Sequence, residues 1–262
     1  MIKVIASDID GTLLPEGATQ LDSHIFDLIL KLKEQGIHFI AASGRQLESQ
    51  QLLFAPIKDD ISYISENGAI CLYNGMRHTI SQFDPNLARR IIDELEKCPN
   101  CKVTISTSRT QYIKSGDDEF YTHMSEYLKY QTTPIDSFYD IPEPIVKIAF
   151  LDTETHHESY AHFKALFEKE IRVATAGNLW VDFIPFHSSK GIALKFILEQ
   201  MQVSPSETIS FGDQLNDLEM LSFTGTSYAM SHGQPAAKEC ATHVVDTVEE
   251  ILEELLLKKS YS

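Results

Sequence analysis

The chain opens with a nearly all-apolar run, residues 2–7, that ends at the acidic segment Asp8-Ile9-Asp10-Gly11. A short apolar run without alternation is typical of a central parallel strand covered on both faces. A crossover helix is predicted over residues 22–36, where apolar side chains recur every three or four positions before a glycine. The apolar run 38–42 completes a strand-helix-strand unit. The opening therefore favours an α/β fold with a doubly wound, mostly parallel, Rossmann-like sheet.

The sequence pattern changes in the middle of the chain. A type I′ hairpin is predicted at Asn74-Gly75, and residues 84–185 then alternate strand-like and helix-like runs of their own. After this segment the earlier strand and helix pattern returns. We predict an α/β core of residues 1–83 and 186–262 and an inserted α+β domain of residues 84–185. A chain of 262 residues is long enough for two unequal domains.

Charge and apolar content exclude two classes of partner. The formal net charge is −16 at pH 7, and a chain this acidic repels nucleic acid and anionic membrane surfaces. No apolar run approaches the ~18 residues of a membrane span, and the amino-terminal run is too short for a secretory signal. We therefore expect a cytoplasmic protein, monomeric or homodimeric, whose partner is a small molecule.

The cysteines are compatible with a reducing compartment. There are four, Cys71, Cys98, Cys101 and Cys240, which is sparse for a disulfide scaffold. Cys98 and Cys101 have C-x-x-C spacing, but one pair supplies half of a zinc site at best. The sequence therefore predicts an incidental, reduced pair.

Two carboxylates follow the first predicted strand. On extended backbone Asp8 and Asp10 can face the same side at the carboxyl end of the strand, where ligands bind in such sheets. An all-oxygen ligand set without a nearby histidine favours magnesium over zinc. Asp8 is the candidate nucleophile, since carboxylates can carry phosphoryl groups covalently, and Asp10 is the candidate acid and base. The alternative is a pair of solvated acids in a turn.

Ser43-Gly44-Arg45 follows the second predicted strand. A hydroxyl and free backbone N–H groups at a helix start form an anion site, and Gly44 allows close approach. Ser43 could equally be the N-cap of that helix. Arg45 could reach the substrate or form a surface ion pair.

Lys190 begins a predicted amphipathic helix. A lysine at this end opposes the helix dipole, which indicates an anion nearby. Its proposed task is to neutralise a transferring phosphoryl group and to orient Asp8. The alternative is a solvated lysine.

Residues 212–217 follow a third buried strand and begin a helix. Asp213 is a candidate metal ligand, Asn216 a donor to phosphate, and Asp217 a partner for Lys190 or for a metal-bound water. Helix capping by the two acids is the alternative.

Together these segments resemble the motifs of the haloacid dehalogenase superfamily, and their layout resembles its Cof-type, subclass IIB, phosphatases. The matching pieces are Asp8-Ile9-Asp10-Gly11-Thr12-Leu13, Ser43-Gly44-Arg45, Glu66-Asn67-Gly68-Ala69, Lys190-Gly191 and residues 212–221. They span nearly the whole chain. One departure is His232-Gly233, where such chains usually have Asn-Ala.

The resemblance implies a role for each matching residue. Asp8 would be nucleophile and metal ligand, Asp10 acid, base and metal ligand through its carbonyl, and Asp213 a metal ligand. Phosphate contacts would come from Ile9, Ser43, Gly44, Lys190 and Asn216, with Arg45 and Asp217 supporting them. The inserted segment would be a cap that closes over the substrate and largely sets specificity.

We therefore predict a Mg²⁺-dependent phosphatase of small phosphorylated metabolites, such as sugar phosphates, nucleotides or cofactor phosphates, acting through an aspartyl-phosphate. One alternative is a phosphomutase that passes the phosphoryl group from Asp8 to a second hydroxyl. Another is a non-catalytic regulator that senses a phosphometabolite. The substrate itself is not predicted, because cap pockets combine side chains from separated loops.

Overall fold

The computed structural model describes residues 1–15, 17–154, 156–176 and 179–259. The chain divides into two compact units, the first formed by residues 1–78 and 189–262 and the second by residues 79–188. The inserted unit thus begins and ends a few residues outside the predicted 84–185. Among the described residues, no helix combines the length and the apolar character that crossing a bilayer requires.

The first unit contains a sheet with helices around it. Its elements before the insertion are β1 Val4–Asp8, α1 Ser23–Glu34, β2 His38–Ala42, α2 Leu47–Leu53, β3 Ser62–Ser65, β4 Ile70–Tyr73 and β5 Met76–Thr79. The elements of the second unit are α3 Pro85–Leu95, β6 Lys102–Thr107, β7 Gln111–Lys114, α4 Asp118–Thr122, β8 Thr132–Ile135, β9 Ile145–Leu151, α5 His156–Phe167, β10 Arg172–Ala176 and β11 Trp180–Ile184. The first unit then resumes with α6 Lys190–Met201, β12 Thr208–Gly212, α7 Leu218–Phe223, β13 Thr226–Met230, α8 Pro235–Cys240, β14 His243–Val245 and α9 Val248–Lys259.

The first unit has the predicted α/β fold. Its eight strands lie in the order β14-β13-β12-β1-β2-β3-β4-β5, and every pair from β14 to β3 is parallel. α1 and α9 contribute buried side chains such as Leu28 and Leu252 to one apolar cluster with Ile5 and Phe39 of the strands. α6 and α7 pack against each other and against strands of the sheet. All five residues of β1 are buried, as a central strand requires.

The predicted hairpin ends this sheet. β4 pairs antiparallel with β3, and Asn74 and Gly75 connect β4 to β5 with φ values of 50° and 72°. Positive φ at both central residues defines a type I′ turn, which suits the twist of paired strands.

One helix begins later than expected. Ser43-Gly44 was expected near the start of this helix, with Ser43 as N-cap being the alternative to an anion site, but α2 begins at Leu47 and Gln46 occupies the N-cap position. The Ser43 hydroxyl instead accepts a hydrogen bond from the Arg45 N–H at 3.2 Å. This local turn keeps the Ser43 hydroxyl at the end of β2.

The second unit is built on a six-stranded sheet in the order β10-β11-β9-β6-β7-β8. It has its own core, in which α3 and α5 pack against aromatic side chains of the strands. Phe150 lies at the centre, with its ring centroid 4.9 Å from that of Phe163 and 6.1 Å from that of Phe183. Between β7 and β8 the short α4 is followed by a π-helical segment, His123–Tyr127.

The prediction of a reduced cysteine pair is wrong for this structure. Cys98 and Cys101 form a disulfide, whereas Cys71 and Cys240 are free. A backbone turn explains the pairing, because the Cys101 N–H donates to the Cys98 carbonyl at 3.2 Å and brings the two side chains together. The C-x-x-C spacing alone does not distinguish a pair of reduced thiols from a disulfide.

Candidate active site

Three strand ends bring the candidate residues together. β1 lies between β2 and β12 in the sheet and runs parallel to both. Because parallel strands end at the same edge, Asp8, Ser43 and Asp213 are neighbours although they are far apart in sequence. This is the edge at which ligands are expected in an open α/β sheet.

Lys190 lies between two carboxylates at this edge. Its Nζ donates to Oδ1 of Asp8 and to Oδ1 of Asp217, each at 2.6 Å, and the Lys190 side chain is 1% exposed. α6 presents it from its first turn, with the Ser189 hydroxyl accepting the Ile192 N–H as N-cap. The solvated lysine is therefore excluded, and the anion expected near it is a pair of aspartates.

Burial and charge oppose each other in this triad. Burial raises the pKa of Asp8 well above its ordinary value, the carboxylate of Asp217 adds to the effect, and the Lys190 ammonium counters it. Burial alone would lower the pKa of Lys190, but Asp217 and Asp8 outweigh it and the pKa is raised. The two neighbouring carboxylates thus favour the charged form of Lys190, while burial disfavours the charged form of Asp8 more than the Lys190 ammonium favours it.

A group of three carboxylates lies close enough together to hold a cation. Asp8, Asp213 and Asp217 each offer an oxygen, and these oxygens lie within 4.8 Å of one another. With Lys190 the four groups carry three negative charges and one positive, a net formal charge of −2. A divalent cation would neutralise it, and oxygen ligands suit Mg²⁺.

The three carboxylates are not equally available to a metal. Oδ1 of Asp217 accepts from Lys190, and its Oδ2 accepts the N–H groups of Asp213 and Gln214 at 3.0 and 2.9 Å. Asp217 therefore connects the loop after β12 to Lys190 through hydrogen bonds. Asp8 and Asp213 are the better ligand candidates, and Asp10 does not join this group through its carboxylate.

Asp10 faces a different partner. Arg45 donates from Nε to Oδ2 at 2.8 Å and from Nη2 to Oδ1 at 2.5 Å, and the Ser43 hydroxyl lies 3.4 Å from Oδ2. The Asp10 side chain is 50% exposed. Asp8 is thus buried against Lys190 while Asp10 is accessible and paired with Arg45, which gives the two acids of the motif different environments.

Two glycines make room for the metal candidate Asp213. A Cβ on Gly11, whose φ is +83°, would lie 2.5 Å from Oδ2 of Asp213, and a Cβ on Gly233 would lie 2.9 Å from its carbonyl oxygen. His232 places its Nε2 2.7 Å from the Gly11 carbonyl. The unusual His232-Gly233 pair therefore packs against the loop that carries Asp10 and against Asp213.

The residues predicted to bind phosphate differ in their surroundings. Asn216 donates from Nδ2 to Oδ1 of Asn67 at 3.1 Å, and the same Asn67 side chain is 3.0 Å from where a Cβ of Gly44 would be. These residues form one polar group beside Ser43. The Ile9 side chain is fully buried in the core, so only its main chain could contact a ligand.

Sequence reasoning did not assign roles to several residues of the site. Thr12 donates from Oγ1 to Oδ1 of Asp213 at 3.0 Å, and Gln214 donates from Nε2 to Oδ2 at 2.9 Å. Asn67 has a positive φ of 54°. All three lie inside quoted motifs, but their contacts cross between loops and leave no spacing signal.

Comparison with known proteins places the chain among enzymes. The family model described as haloacid dehalogenase-like hydrolase matches residues 5–254. The curated protein 5-amino-6-(5-phospho-D-ribitylamino)uracil phosphatase YbjI of Escherichia coli is 26% identical, with 96% of each chain covered.

Solved structures agree with this fold. A structure from Eubacterium rectale is 29% identical with a TM-score of 0.85, covering 97% of this chain and 99% of that one. The haloacid dehalogenase subclass IIB sugar phosphatase BT4131 is 18% identical with a TM-score of 0.81, covering 97% of this chain and 98% of that one. At 18% identity the second likeness concerns the fold alone.

Proposed function

The chain belongs to the haloacid dehalogenase-like hydrolases, and from that premise we propose that it hydrolyses small phosphorylated metabolites with Mg²⁺ through a phosphoryl group carried on Asp8. The reaction class is that of a phosphoric monoester hydrolase, in line with the family and its phosphatase relatives. The observation that supports the mechanism best is the buried Lys190 ammonium, which bridges Asp8 and Asp217 beside Asp213.

The acidic group fits the proposed metal. Asp8 and Asp213 would hold Mg²⁺, because both are buried and their oxygens lie close together. The carbonyl of Asp10 is a further proposed ligand. Bound Mg²⁺ would supply positive charge that offsets the phosphoryl group and the neighbouring carboxylates.

The proposed steps use four side chains. The Asp8 carboxylate attacks phosphorus, the bond from phosphorus to the leaving oxygen breaks, and Asp10 gives that oxygen a proton. Asp10 then takes a proton from the water that attacks the phosphoryl-aspartate, which releases inorganic phosphate. Lys190 keeps Asp8 oriented throughout. Because Arg45 donates to both oxygens of Asp10, this pair must open before Asp10 can give its proton.

Substrate contacts follow from the same edge of the sheet. We assign phosphate binding to Ser43, Gly44 and Asn216, with Lys190 as the cation and the main chain of Ile9 as a further donor. The second unit is proposed to select the leaving group. Candidate substrates include 5-amino-6-(5-phospho-D-ribitylamino)uracil, after the Escherichia coli relative, and, as predicted from the sequence, sugar phosphates.

A nucleophile variant tests the proposal. With an activated aryl phosphate and Mg²⁺, Asp8→Asn is expected to lower the rate of phosphate release at least ~10⁴-fold, the scale seen when a catalytic nucleophile or its partner is removed. A chelator should abolish wild-type turnover, and acid-quenched wild-type protein should carry one phosphoryl group on the peptide that contains Asp8.

The control is Asp22→Asn. Asp22 is the exposed N-cap of α1, and asparagine caps a helix as well as aspartate does. Unchanged turnover in Asp8→Asn would refute the mechanism. Isomerisation of a sugar phosphate without phosphate release would instead identify a mutase.

A further inference from the structure

The second unit holds a cluster of possible metal ligands whose residues all lie outside the candidate active site. The sulfur atoms of Cys98 and Cys101 and a carboxylate oxygen of Asp152 all lie within 4.8 Å of one another. The two cysteines are half-buried, and Asp152 is 0% exposed. Burying a carboxylate next to two sulfurs is costly unless a hydrogen bond or a cation offsets it.

The local structure keeps these ligands in place. Oδ1 of Asp152 accepts the Glu154 N–H at 2.9 Å and Oδ2 accepts the Ser159 hydroxyl at 2.6 Å. Asn100, inside the cysteine turn, donates to Oε2 of Glu154 at 2.8 Å. The turn 98–101 and the loop after β9 are therefore connected, although some fifty residues separate them in sequence.

The site is open on one side. A cavity of about 260 Å³ reaches the site from the side of Cys98 and Cys101 and not from that of Asp152. Its other lining residues are the charged Glu96, Lys102, Lys114 and Asp117 and apolar side chains of the second unit. Such a space admits water, which could fill a fourth coordination position. Two thiolates and one carboxylate around a tetrahedral centre are a ligand set that Zn²⁺ accepts.

We propose that Cys98, Cys101 and Asp152 form a zinc site that the disulfide closes and reduction opens. A dithiol reductant transfers two electrons and two protons to the disulfide, giving two thiols and an oxidised reductant. Zn²⁺ then displaces the two thiol protons and binds both sulfurs and the carboxylate. Oxidation by a disulfide-forming oxidant would expel the metal.

The test compares the oxidised and reduced full chain. After reduction with a dithiol and removal of excess reagent, about one Zn²⁺ per chain is expected on sulfur ligands, as for a structural thiolate site. Co²⁺ should give a thiolate-to-metal absorption band, which oxygen ligands at the acidic group of Asp8 cannot produce. Excess Mg²⁺ is included to occupy that group, so the result does not depend on phosphatase activity.

Substitutions test which residues bind Zn²⁺. Cys98→Ser, Cys101→Ser and Asp152→Asn should each weaken Zn²⁺ binding strongly, and Ser159→Ala roughly 10-fold, as expected for a residue that orients a ligand. Cys240→Ser is the matched control, because this cysteine is free and half-buried.

Three outcomes would overturn the proposal. These are a reduced wild-type chain that binds no Zn²⁺ on sulfur, an oxidised chain that binds as much as the reduced one, and full binding by Asp152→Asn. The first two outcomes are measured on wild-type protein only, so they test the proposal even if a variant does not fold.

Discussion

The sheets of the two units differ in strand direction, and this difference determines where chemistry can be predicted. In the first unit β1 runs parallel to β2 and β12, so three loops after these strands meet at one edge. In the second unit four of the five strand pairs are antiparallel and only β7 and β8 are parallel. Its loops leave at both edges. A parallel sheet therefore collects polar residues from distant segments, whereas an antiparallel sheet disperses them.

The second contrast concerns what each unit buries. The first unit buries three carboxylates and an ammonium together at its active edge. The core of the second unit is a cluster rich in aromatic rings, and its buried carboxylates Asp152 and Asp182 lie outside that cluster. Buried charges are costly unless paired, while buried rings stabilise in proportion to their apolar area. We expect function and stability to be coupled in the first unit and separable in the second.

Among substitutions that change both stability and rate, the largest effect is expected at Lys190. Lys190→Met would leave Asp8 and Asp217 buried without a cation, which should cost about 3–5 kcal/mol of unfolding free energy. It should also slow phosphate release about 10²–10³-fold, the usual loss for one preorganised electrostatic contact. Urea unfolding and steady-state assays measure the two quantities.

Lys195→Met is the control on the same helix. Lys195 is exposed and lies 4.0 Å from Glu199, and such surface pairs contribute little. A Lys190→Met protein that kept wild-type stability and rate would break the proposed coupling of charge burial and function.

A similar loss of stability, confined to one unit and without the loss of rate, is expected at Phe150. Phe150→Ala removes a fully buried ring and should cost the second unit about 3–5 kcal/mol. The chain has one tryptophan, Trp180, which lies in β11, so its fluorescence reports the unfolding of the second unit.

Tyr127→Ala, at an 83% exposed position, is the control for the ring deletion. If the units are separable, the fluorescence midpoint falls while turnover of a small aryl phosphate persists at the same urea concentration. Simultaneous loss of fluorescence and turnover in Phe150→Ala would show that the two units unfold together. It would contradict the expectation that function is separable from the stability of the second unit.

The smallest effect is a pH dependence that belongs to the first unit. Burial, with help from Lys33, lowers the pKa of His38 from 6.5 to about 4. Above pH 6.5 the His38 imidazole is neutral in both the folded and the unfolded chain, so it does not lower the free energy of unfolding. As the pH falls from 6.5 towards 4, the unfolded chain takes up a proton that the folded chain does not, which lowers the free energy of unfolding by at most about 3 kcal/mol.

His38→Gln should flatten the fall in unfolding free energy between pH 6.5 and 4, measured by urea titration at several pH values. His243→Gln, at an exposed position, should leave the slope in place. A wild-type slope in His38→Gln would refute this assignment.

The sequence was sufficient for the parts of the molecule that depend on local pattern. Apolar runs predicted β1, β2 and β12, and Asn74-Gly75 predicted a hairpin. Because these strands end where the polar segments begin, the positions of Asp8 and Asp213 at one edge could be predicted as well. The role of each side chain in the reaction remains a prediction.

Contacts between residues far apart in the sequence could not be predicted from local sequence patterns. The pairing of Arg45 with Asp10, the hydrogen bond from Thr12 to Asp213 and the disulfide of Cys98 depend on how loops approach one another in space. The late start of α2 has a similar cause, since a short turn after β2 can be helical or not with little local preference.

The place of Lys190 in the chain also affects how the protein is made. Lys190 comes directly after the inserted unit, and it pairs with a residue 182 positions earlier. β1 also needs β12, which begins at Thr208. On the ribosome the inserted unit can fold as soon as it emerges, while the amino-terminal strands must wait with an exposed edge and unneutralised acids. Translation thus delays the pairing of Asp8 with Lys190 until the inserted unit and β12 have been synthesised.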